Sequence, residues 1–351
     1  MNLVFQYKWI STTIKTNVQA NSMIELFNQI NPEIGAFDTE TTGLHITLDK
    51  PFLFQFGFID QKHKIGYTYA VDLEKQPELS KAVINKWHEL ASQLKIYLGH
   101  NVSFDLHMLQ NINMPYEAPN ISDTMFWIRH AHDALTSANG GPPLSLKDYA
   151  ARFISPSAKF HEQELARERT DIAKIYNNKL KERLKVLGKP PEKYGYKSYT
   201  LSVVHEMFKD PIMEAEDLNT GIKEIYLRWL QDDIPVYLQP KITSLVESDM
   251  IPYHKLNREK LTTYAHMDIV LTIETYLQTR NAVEARKTYE GIDIENKLIY
   301  PLVRMERVGF PIDKEYLEES RIKLKNYIKE VRTKLYELAG CEFQIRSTRI
   351  S

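Results

Sequence analysis

Residues 34–44, Ile-Gly-Ala-Phe-Asp-Thr-Glu-Thr-Thr-Gly-Leu, constrain the fold more than any other stretch of the chain. The apolar start predicts a buried strand, and the strand breaks into Thr, Thr and Gly just after two acids. Asp38 and Glu40 are two residues apart, so both carboxylates leave the same face of a strand. Two anions at a buried strand end repel each other and require a counter-charge. A hard divalent cation is the simplest one, so the stretch predicts a metal site.

Two other interpretations of the acidic pair stay open at this point. The pair could be solvated surface, or it could belong to a calcium-binding loop, whose spacing is matched by Asp38, Glu40, Thr42, Gly43 and Asp49. A calcium loop of the EF-hand type requires a helix on each side. Pro32 and Gly35 break any helix that enters the loop, and Pro51 opens a strand-like run after it.

The bulk properties restrict the class of protein. A chain of 351 residues with 43% hydrophobic residues can form about two domains with a sizeable core. With 45 basic and 46 acidic residues, any nucleic-acid surface must be a local patch. The single cysteine, Cys341, excludes a disulfide framework within the chain. No run approaches 18 apolar residues, so we expect a soluble cytoplasmic protein without a membrane partner.

The segments around the acidic stretch alternate between strand and helix patterns. Phe52–Ile59 and Ile65–Val71 alternate apolar residues with a period of two and predict an antiparallel meander led by the acidic strand. Leu79–Leu94 has the spacing of an amphipathic helix, and Lys95–Gly99 that of another buried strand. The pattern predicts an α/β fold, a mixed sheet with helices on its faces.

Two later segments carry further acids in suggestive places. In Gly99–Leu109, Asn101 is a candidate helix N-cap and Asp105 lies one turn further along; a first-turn acid favoured by the helix dipole is the alternative. In the predicted helix 258–276, Tyr264 and Asp268 are four residues apart and share a face. A buried tyrosine beside a surface acid would give the same pattern.

Taken in order, these segments resemble the three motifs of the DEDDy 3′–5′ exonucleases. The matching residues are Phe-Asp-Thr-Glu-Thr-Thr-Gly-Leu from Phe37, Gly-His-Asn-Val-Ser-Phe-Asp from Gly99 and Tyr-Ala-His-Met-Asp from Tyr264. The resemblance implies an RNase H-like (DnaQ-like exonuclease) fold. It also implies that Asp38, Glu40, Asp105 and Asp268 hold two divalent ions, Mg²⁺ or Mn²⁺, about 3.5–4 Å apart.

The same resemblance assigns a role to each side chain. Asp38 is expected to bridge the ions, with Glu40 and Asp268 on one and Asp105 toward the other. Tyr264, with a reference pKa of about 10, is a poor base and would aim the attacking water. Four further positions match residues that hold the terminal nucleotide, with packing or capping as their alternatives: Thr41, Leu44, Asn101 and Phe104.

The C-terminal part narrows the family. Residues 295–313 and 338–343 resemble the join between exonuclease and thumb in family A DNA polymerases, the DNA polymerase I type that many bacteriophages encode. This implies an exonuclease domain over residues 1–290, with a largely helical insertion at about 150–245, because 163 residues separate Asp105 from Asp268. Residues 291–351 would begin a thumb with a long C-terminal helix. Without palm and fingers we expect no polymerisation by this chain alone, which would be either truncated or one piece of a split polymerase.

The resemblance implies a single-stranded DNA 3′ end or a primer–template as substrate, and a separately encoded polymerase chain as a possible partner. A 3′ exoribonuclease like RNase D shares all three motifs, and a non-catalytic replisome component is the third hypothesis. Residues 179–199 hold seven basic residues with three interleaved tyrosines, a composition typical either of a DNA contact or of a solvated helix. His130 and His132 lack the further ligands that a zinc site needs.

Overall fold

A computed structural model describes residues 5–132, 141–187 and 248–342. Within these residues, six strands form one sheet: β1 (Lys8–Thr13), β2 (Ile34–Thr41), β3 (Pro51–Asp60), β4 (Ile65–Asp72), β5 (Ile96–Gly99) and β6 (Ile121–Asp123). The helices of the same ranges are α1 (Asn17–Ile30), α2 (Pro77–Ala91), α3 (Val102–Asn111), α4 (Thr124–Ala131), α5 (Leu146–Phe153), α6 (Phe160–Leu187), α7 (Arg258–Arg286), α8 (Tyr289–Val308) and α9 (Lys314–Ala339).

The strands lie in the order β1-β4-β3-β2-β5-β6. The antiparallel meander β2-β3-β4 continues through β5 and β6, which run parallel to β2. This is the RNase H-like mixed sheet flanked by helices that the sequence predicted. The sheet has two strands more than predicted, because β1 pairs in parallel with β4 at one edge and β6 pairs in parallel with β5 at the other. The partly exposed, mixed pattern of β1 gave no strand signal, and β6 has only three residues.

One face of the sheet is held by an aromatic core. Phe54, Phe56 and Phe58 alternate along β3, are at most 1% exposed and point toward α1 and α2. Trp87 of α2 stacks on Phe56 with 4.4 Å between ring centroids. Side chains of this size dominate the apolar area that folding removes from water, so this layer fixes the position of β3 and its neighbours.

Helix α7 covers the other face of the sheet. Ile269, Ile273 and Leu277 recur at four-residue spacing and pack on Ala36 and Leu98. The helix comes close at Gly57, where a Cβ atom would lie 2.7 Å from Ile269 Cγ2 and 2.5 Å from Tyr67 O. A glycine on β3 therefore sets how near α7 can approach β2.

The chain divides into two compact units, residues 1–303 and 304–351. In the first unit, α8 buries Ile299 and Val303 in the aromatic core. In the second, α9 follows its N-cap residue Asp313, whose side chain accepts a hydrogen bond from Tyr316 N, and is ended by its C-cap residue Gly340 with φ 71°. The predicted long C-terminal helix is thus confirmed. The exonuclease boundary at residue 290 stays a prediction, and most of the 150–245 insertion lies outside the described residues.

Candidate active site

Strand β2 brings Asp38 and Glu40 to the face that α7 covers. Ala36 lies two residues before Asp38 and packs against α7, and strand alternation carries Asp38 and Glu40 to the same side. Asp38 is half-buried, and its Oδ2 accepts a hydrogen bond of 2.5 Å from Gln55 Nε2 on β3. Glu40 is 8% exposed. The predicted acidic pair therefore faces the interior of the molecule, and the solvated-surface interpretation is wrong.

Helix α7 supplies the third carboxylate and the tyrosine. Asp268 precedes Ile269, which packs on the sheet, so its carboxylate meets the end of β2. One ligand oxygen from each of Asp38, Glu40 and Asp268 lies within 4.8 Å of the others. We call the carboxylates of Asp38, Glu40 and Asp268 the acidic cluster. Tyr264 lies one helical turn before Asp268 and is 8% exposed.

Asp105 reaches the same strand end from the other side. Its Oδ1 accepts hydrogen bonds from Thr39 N (2.9 Å) and Thr39 Oγ1 (2.5 Å). Thr39 lies between Asp38 and Glu40, and its side chain leaves the opposite face of β2. Asp105 therefore adjoins the acidic cluster without being one of its three members, which is a separation that sequence spacing could not show.

The start of α3 differs from the prediction in one respect. Asn101 occupies the N-cap position with φ 58°, but its side chain makes no capping hydrogen bond. The buried carboxylate of Asp123 accepts hydrogen bonds from Asn101 N (3.0 Å) and Val102 N (2.8 Å) instead. A left-handed conformation suits asparagine, and a carboxylate on the neighbouring strand β6 satisfies the free N–H groups of the helix.

Burial and mutual repulsion make the site electrostatically unfavourable for anions. Burial, and then the charge of Asp268, raise the pKa of Asp38 to about 7. The same causes, burial first, raise the pKa of Glu40 well above its usual value, and burial followed by Asp38 does so for Asp105. Burial and the neighbouring carboxylates also raise the pKa of Tyr264, so its phenol keeps its proton at neutral pH.

Lys147 on α5 is a member of the site that the sequence analysis missed. Its Nζ donates to Tyr264 Oη (2.5 Å) and to Asp268 Oδ2 (2.7 Å), and its side chain is 15% exposed. Burial alone would lower the pKa of Lys147, but Asp268 and the other carboxylates raise it above its usual value. One signal was present: Lys147 shares a helical face with Ala150, Ala151 and Ile154, where a lysine is out of place unless it is paired.

The four expected nucleotide-binding residues lie around the end of β2 and the start of α3. Thr41 donates a hydrogen bond of 2.7 Å to Gly43 O, and Leu44 is 85% exposed. Asn101 is exposed and Phe104 is half-buried in the first turn of α3. The role of each of these four residues stays a prediction.

The remaining sequence alternatives resolve differently. The calcium-loop interpretation is wrong, because Asp38 and Glu40 lie on a strand and Asp49 accepts hydrogen bonds from Thr42 Oγ1 and His45 N. His130 contacts Glu295, and His132 contacts Tyr149. Within the described residues, the only cluster with metal-ligand geometry is the acidic cluster. The side chains of the basic stretch 179–199 lie outside the described part of the chain.

Residues 11–178 match the family model of the 3′–5′ exonuclease of the DNA polymerase A type. The match covers just under half of the chain. The matched range contains Asp38, Glu40, Asp105 and Lys147. Tyr264 and Asp268 lie beyond it, and the packing of α7 on β2 is what adds them to the site.

A relative among characterised proteins is DNA polymerase DpoZ of Vibrio phage phiVC8, which is 23% identical over 325 residues, 90% of this chain. The alignment spans 38% of the length of that polymerase. Solved structures with some similarity include NrnC of Brucella melitensis bound to pGG (10% identity, 87% of this chain and 95% of that one, TM-score 0.40). Others are Escherichia coli RNase D (12%, 84% and 51%, TM-score 0.39) and the POL domain of Pol1 from M. smegmatis (10%, 96% and 39%, TM-score 0.41).

None of the helices in the described ranges is long and apolar enough to cross a membrane.

Proposed function

We propose that this chain is a DEDDy-type exonuclease that removes nucleotides from the 3′ end of DNA in the proofreading part of a family A polymerase. The convergence of the acidic cluster with Tyr264 carries this proposal, because two sequence motifs far apart in the chain supply its residues, and Asp105 of the remaining motif lies beside it through Thr39. The phage polymerase relative supports DNA as the substrate class.

The donor set fits divalent metal ions. All ligand atoms of the cluster are carboxylate oxygens, which Mg²⁺ and Mn²⁺ prefer. Among the described residues, Asp268 Oδ1 is buried and has no hydrogen-bond partner, so it is available for a ligand bond. Asp38, Glu40 and Asp268 would hold one ion, and Asp105 together with Asp38 a second. When bound, such ions stabilise charge on the phosphoryl and leaving oxygens and make hydroxide accessible near neutral pH.

The reaction is hydrolysis of the terminal phosphodiester. A water oxygen attacks the phosphorus, the bond to the 3′ oxygen of the preceding nucleotide breaks, and a nucleoside 5′-monophosphate leaves. Tyr264, which keeps its proton, would donate a hydrogen bond that orients the water or a phosphate oxygen. Leu44 would press on the terminal base, and Thr41, Asn101 and Phe104 would position its sugar and phosphate.

The decisive experiment is a nuclease assay on 5′-labelled single-stranded DNA with Mg²⁺ or Mn²⁺. We expect a ladder of products shortened one nucleotide at a time from the 3′ end. Excess EDTA and the Asp38→Asn substitution should each remove it, whereas Tyr264→Phe should leave slow residual hydrolysis. Full activity of Asp38→Asn, or degradation from the 5′ end, would contradict the proposal.

The rival function is that of a 3′ exoribonuclease, because enzymes of the RNase D type share the three sequence motifs that this chain resembles. An RNA oligonucleotide of the same sequence, assayed beside the DNA, separates the two. We expect a higher kcat/KM on DNA. A primer–template with a terminal mismatch tests proofreading, since a proofreading nuclease should remove a mismatched 3′ nucleotide faster than a paired one.

A further inference from the structure

Lys147 brings positive charge into a site that is otherwise built of carboxylates. It comes from α5, which none of the three exonuclease motifs includes, and among the described residues its Nζ is the cationic group bonded to the acidic cluster. Four anions at one strand end repel each other strongly in a low-dielectric interior. This lysine can offset negative charge, and it can also set the geometry of Tyr264 and Asp268, the two side chains it contacts.

The contact with Tyr264 fixes the direction of a proton. A lysine ammonium has three donors and no acceptor, so the Tyr264 oxygen must accept across the 2.5 Å contact. The tyrosine proton must therefore point to another acceptor, and the Asp268 carboxylate, where a hydrogen bond from Tyr264 partly offsets the rise in pKa that burial causes, is one within reach. Lys147 Nζ also lies 4.1 Å from the centroid of the Tyr264 ring, which restricts the ring as well as the hydroxyl.

The contact with Asp268 divides the two oxygens of that carboxylate. Oδ2 accepts from Lys147 at 2.7 Å, whereas Oδ1 is buried and has no hydrogen-bond partner among the described residues. Holding one oxygen restricts the plane of the carboxylate, and an oxygen of Asp268 lies within 4.8 Å of ligand oxygens of Asp38 and Glu40. Side chains that orient a metal ligand in this way set its geometry without binding the metal.

We propose that Lys147 is a positioning residue of the nuclease, which directs the hydroxyl of Tyr264 and one carboxylate oxygen of Asp268 toward the reacting phosphate. This inference rests on the proposed exonuclease function. Lys147 acts through its two partners, so its loss should reduce the rate of hydrolysis and leave the binding of the DNA chain largely intact.

The kinetic test compares Lys147→Met with Lys147→Arg on a single-stranded DNA oligonucleotide with Mn²⁺. We expect Lys147→Met to lower kcat about 10- to 100-fold with little change in KM, the usual effect of removing a group that orients a metal ligand. Lys147→Arg keeps a cation with several donors and should recover part of the loss. Lys159→Met is the matched control, since Lys159 pairs with Asp148 of α5 outside the site and should leave kcat unchanged.

A double-substitution test asks whether Lys147 acts through Tyr264. In Lys147→Met combined with Tyr264→Phe, the hydroxyl that the lysine would direct is already absent. The combined loss in kcat should therefore be clearly smaller than the product of the two single losses. Multiplicative losses would show that Lys147 acts independently of Tyr264 and would overturn that part of the inference.

A second readout does not depend on activity. In EDTA, Lys147→Met should lower Tm by several degrees, because the carboxylates lose their counter-charge, and saturating Mn²⁺ should remove most of that difference. A purely packing role would give a deficit that Mn²⁺ leaves unchanged. If Asp38→Asn is inactive while Lys147→Met behaves as wild type in kcat and Tm, the inference fails alone. If Asp38→Asn is active, the proposed function fails.

Discussion

Asp38 lies where burial and neighbouring charge both oppose its ionisation. They raise its pKa to about 7, so above that pH the folded metal-free protein carries an anion that the unfolded chain solvates better. The contribution of Asp38 to the free energy of unfolding is therefore largest in acid, and it falls as the pH rises from about 4 to about 7. A buried charge that destabilises the folded state is typical of a site arranged for function.

We predict that Asp38→Asn stabilises the metal-free protein while it removes activity. At pH 8 in EDTA the free energy of unfolding should rise by about 1–3 kcal/mol, since the substitution removes a repelled anion. Urea unfolding with and without Mn²⁺ measures both this gain and the loss of stabilisation by metal. If Mn²⁺ raised the free energy of unfolding of Asp38→Asn as much as that of the wild type, Asp38 would not be a metal ligand.

Asp60→Asn is the matched control for that measurement. Burial raises the pKa of Asp60, but hydrogen bonds from the ring and backbone of His63 outweigh it and lower the pKa below its usual value. Its anion is therefore stabilised in the folded state. The same chemical change should here lower the free energy of unfolding slightly and leave nuclease activity intact.

His100, in the second exonuclease motif, predicts a pH dependence of the opposite sign. Burial, and then the charge of Lys147, lower its pKa to about 4, and its Nδ1 lies 2.8 Å from Thr124 Oγ1. Below about pH 6.5 the His100 side chain becomes protonated in the unfolded chain, whereas it stays neutral in the folded protein. The contribution of His100 to stability is therefore complete above that pH and is lost as pH falls toward 4.

His100→Gln should remove this acid sensitivity. Between pH 7 and pH 4.5, the free energy of unfolding of the wild type should fall relative to the variant by about 2 kcal/mol. Urea unfolding of both proteins at several pH values gives the difference, in which the opposite contributions of the acidic cluster cancel. A difference that stays constant with pH would show that His100 does not titrate as expected.

At the scale of elements, the site depends on how closely α7 approaches the sheet. Sequence periodicity predicted α7, and the alternation in β3 predicted which face holds Phe54, Phe56 and Phe58. The approach distance instead depends on Gly57, where any side chain would collide with Ile269 and the Tyr67 carbonyl. An element boundary can be predicted locally, but an inter-element distance depends on side chains from both elements.

Gly57→Ala should push α7 from β3 and disturb the site at the helix. We expect a loss of about 1–3 kcal/mol in stability from overpacking. We also expect the kcat of the folded protein to fall, because Asp268 and Tyr264 move with the helix. Thermal unfolding and the DNA nuclease assay, both with saturating Mn²⁺, measure the two effects.

Gly35→Ala provides the comparison for Gly57→Ala. Its Cβ would collide with Leu94 in the aromatic core, on the face of the sheet opposite to α7. A similar stability loss with unchanged kcat of the folded protein is expected. Equal falls in kcat for both variants would contradict the link between α7 position and activity.

At the scale of the whole molecule, the two compact units suggest which part of the chain DNA hydrolysis requires. The described part of α9 has no buried residue, whereas the acidic cluster, its helix and its strands lie within residues 1–303. We therefore predict that the nuclease does not need α9. The core needs Ile299 and Val303 of α8, so a shortened chain must extend beyond them.

A chain ending after Gly309 should retain 3′ hydrolysis of a short DNA oligonucleotide within about twofold of the full chain. Its main thermal transition should also be preserved, because the aromatic core is complete. Calorimetry and the nuclease assay check the two statements. Loss of hydrolysis with an intact transition would mean that residues 310–351 contribute to the active site.

The sequence by itself determined the elements and the motif residues. Hydrophobic periodicity is a local property, so it marked β2 to β5, α2, α3, α7 and α9. The spacing of Asp38 with Glu40 and of Tyr264 with Asp268 follows from strand and helix geometry. It did not reveal β1 and β6, which are a short strand of mixed polarity and a strand of three residues, because their stability comes from pairing with β4 and β5.

The tertiary structure alone decided which groups meet. Lys147 joins the site because α5 packs beside α7, Asp123 rather than Asn101 caps α3, and Asp105 reaches β2 through Thr39. Each of these contacts joins residues 22 to 121 positions apart in the chain. Such contacts depend on packing distances of a few tenths of an ångström, which no local pattern of residue types encodes.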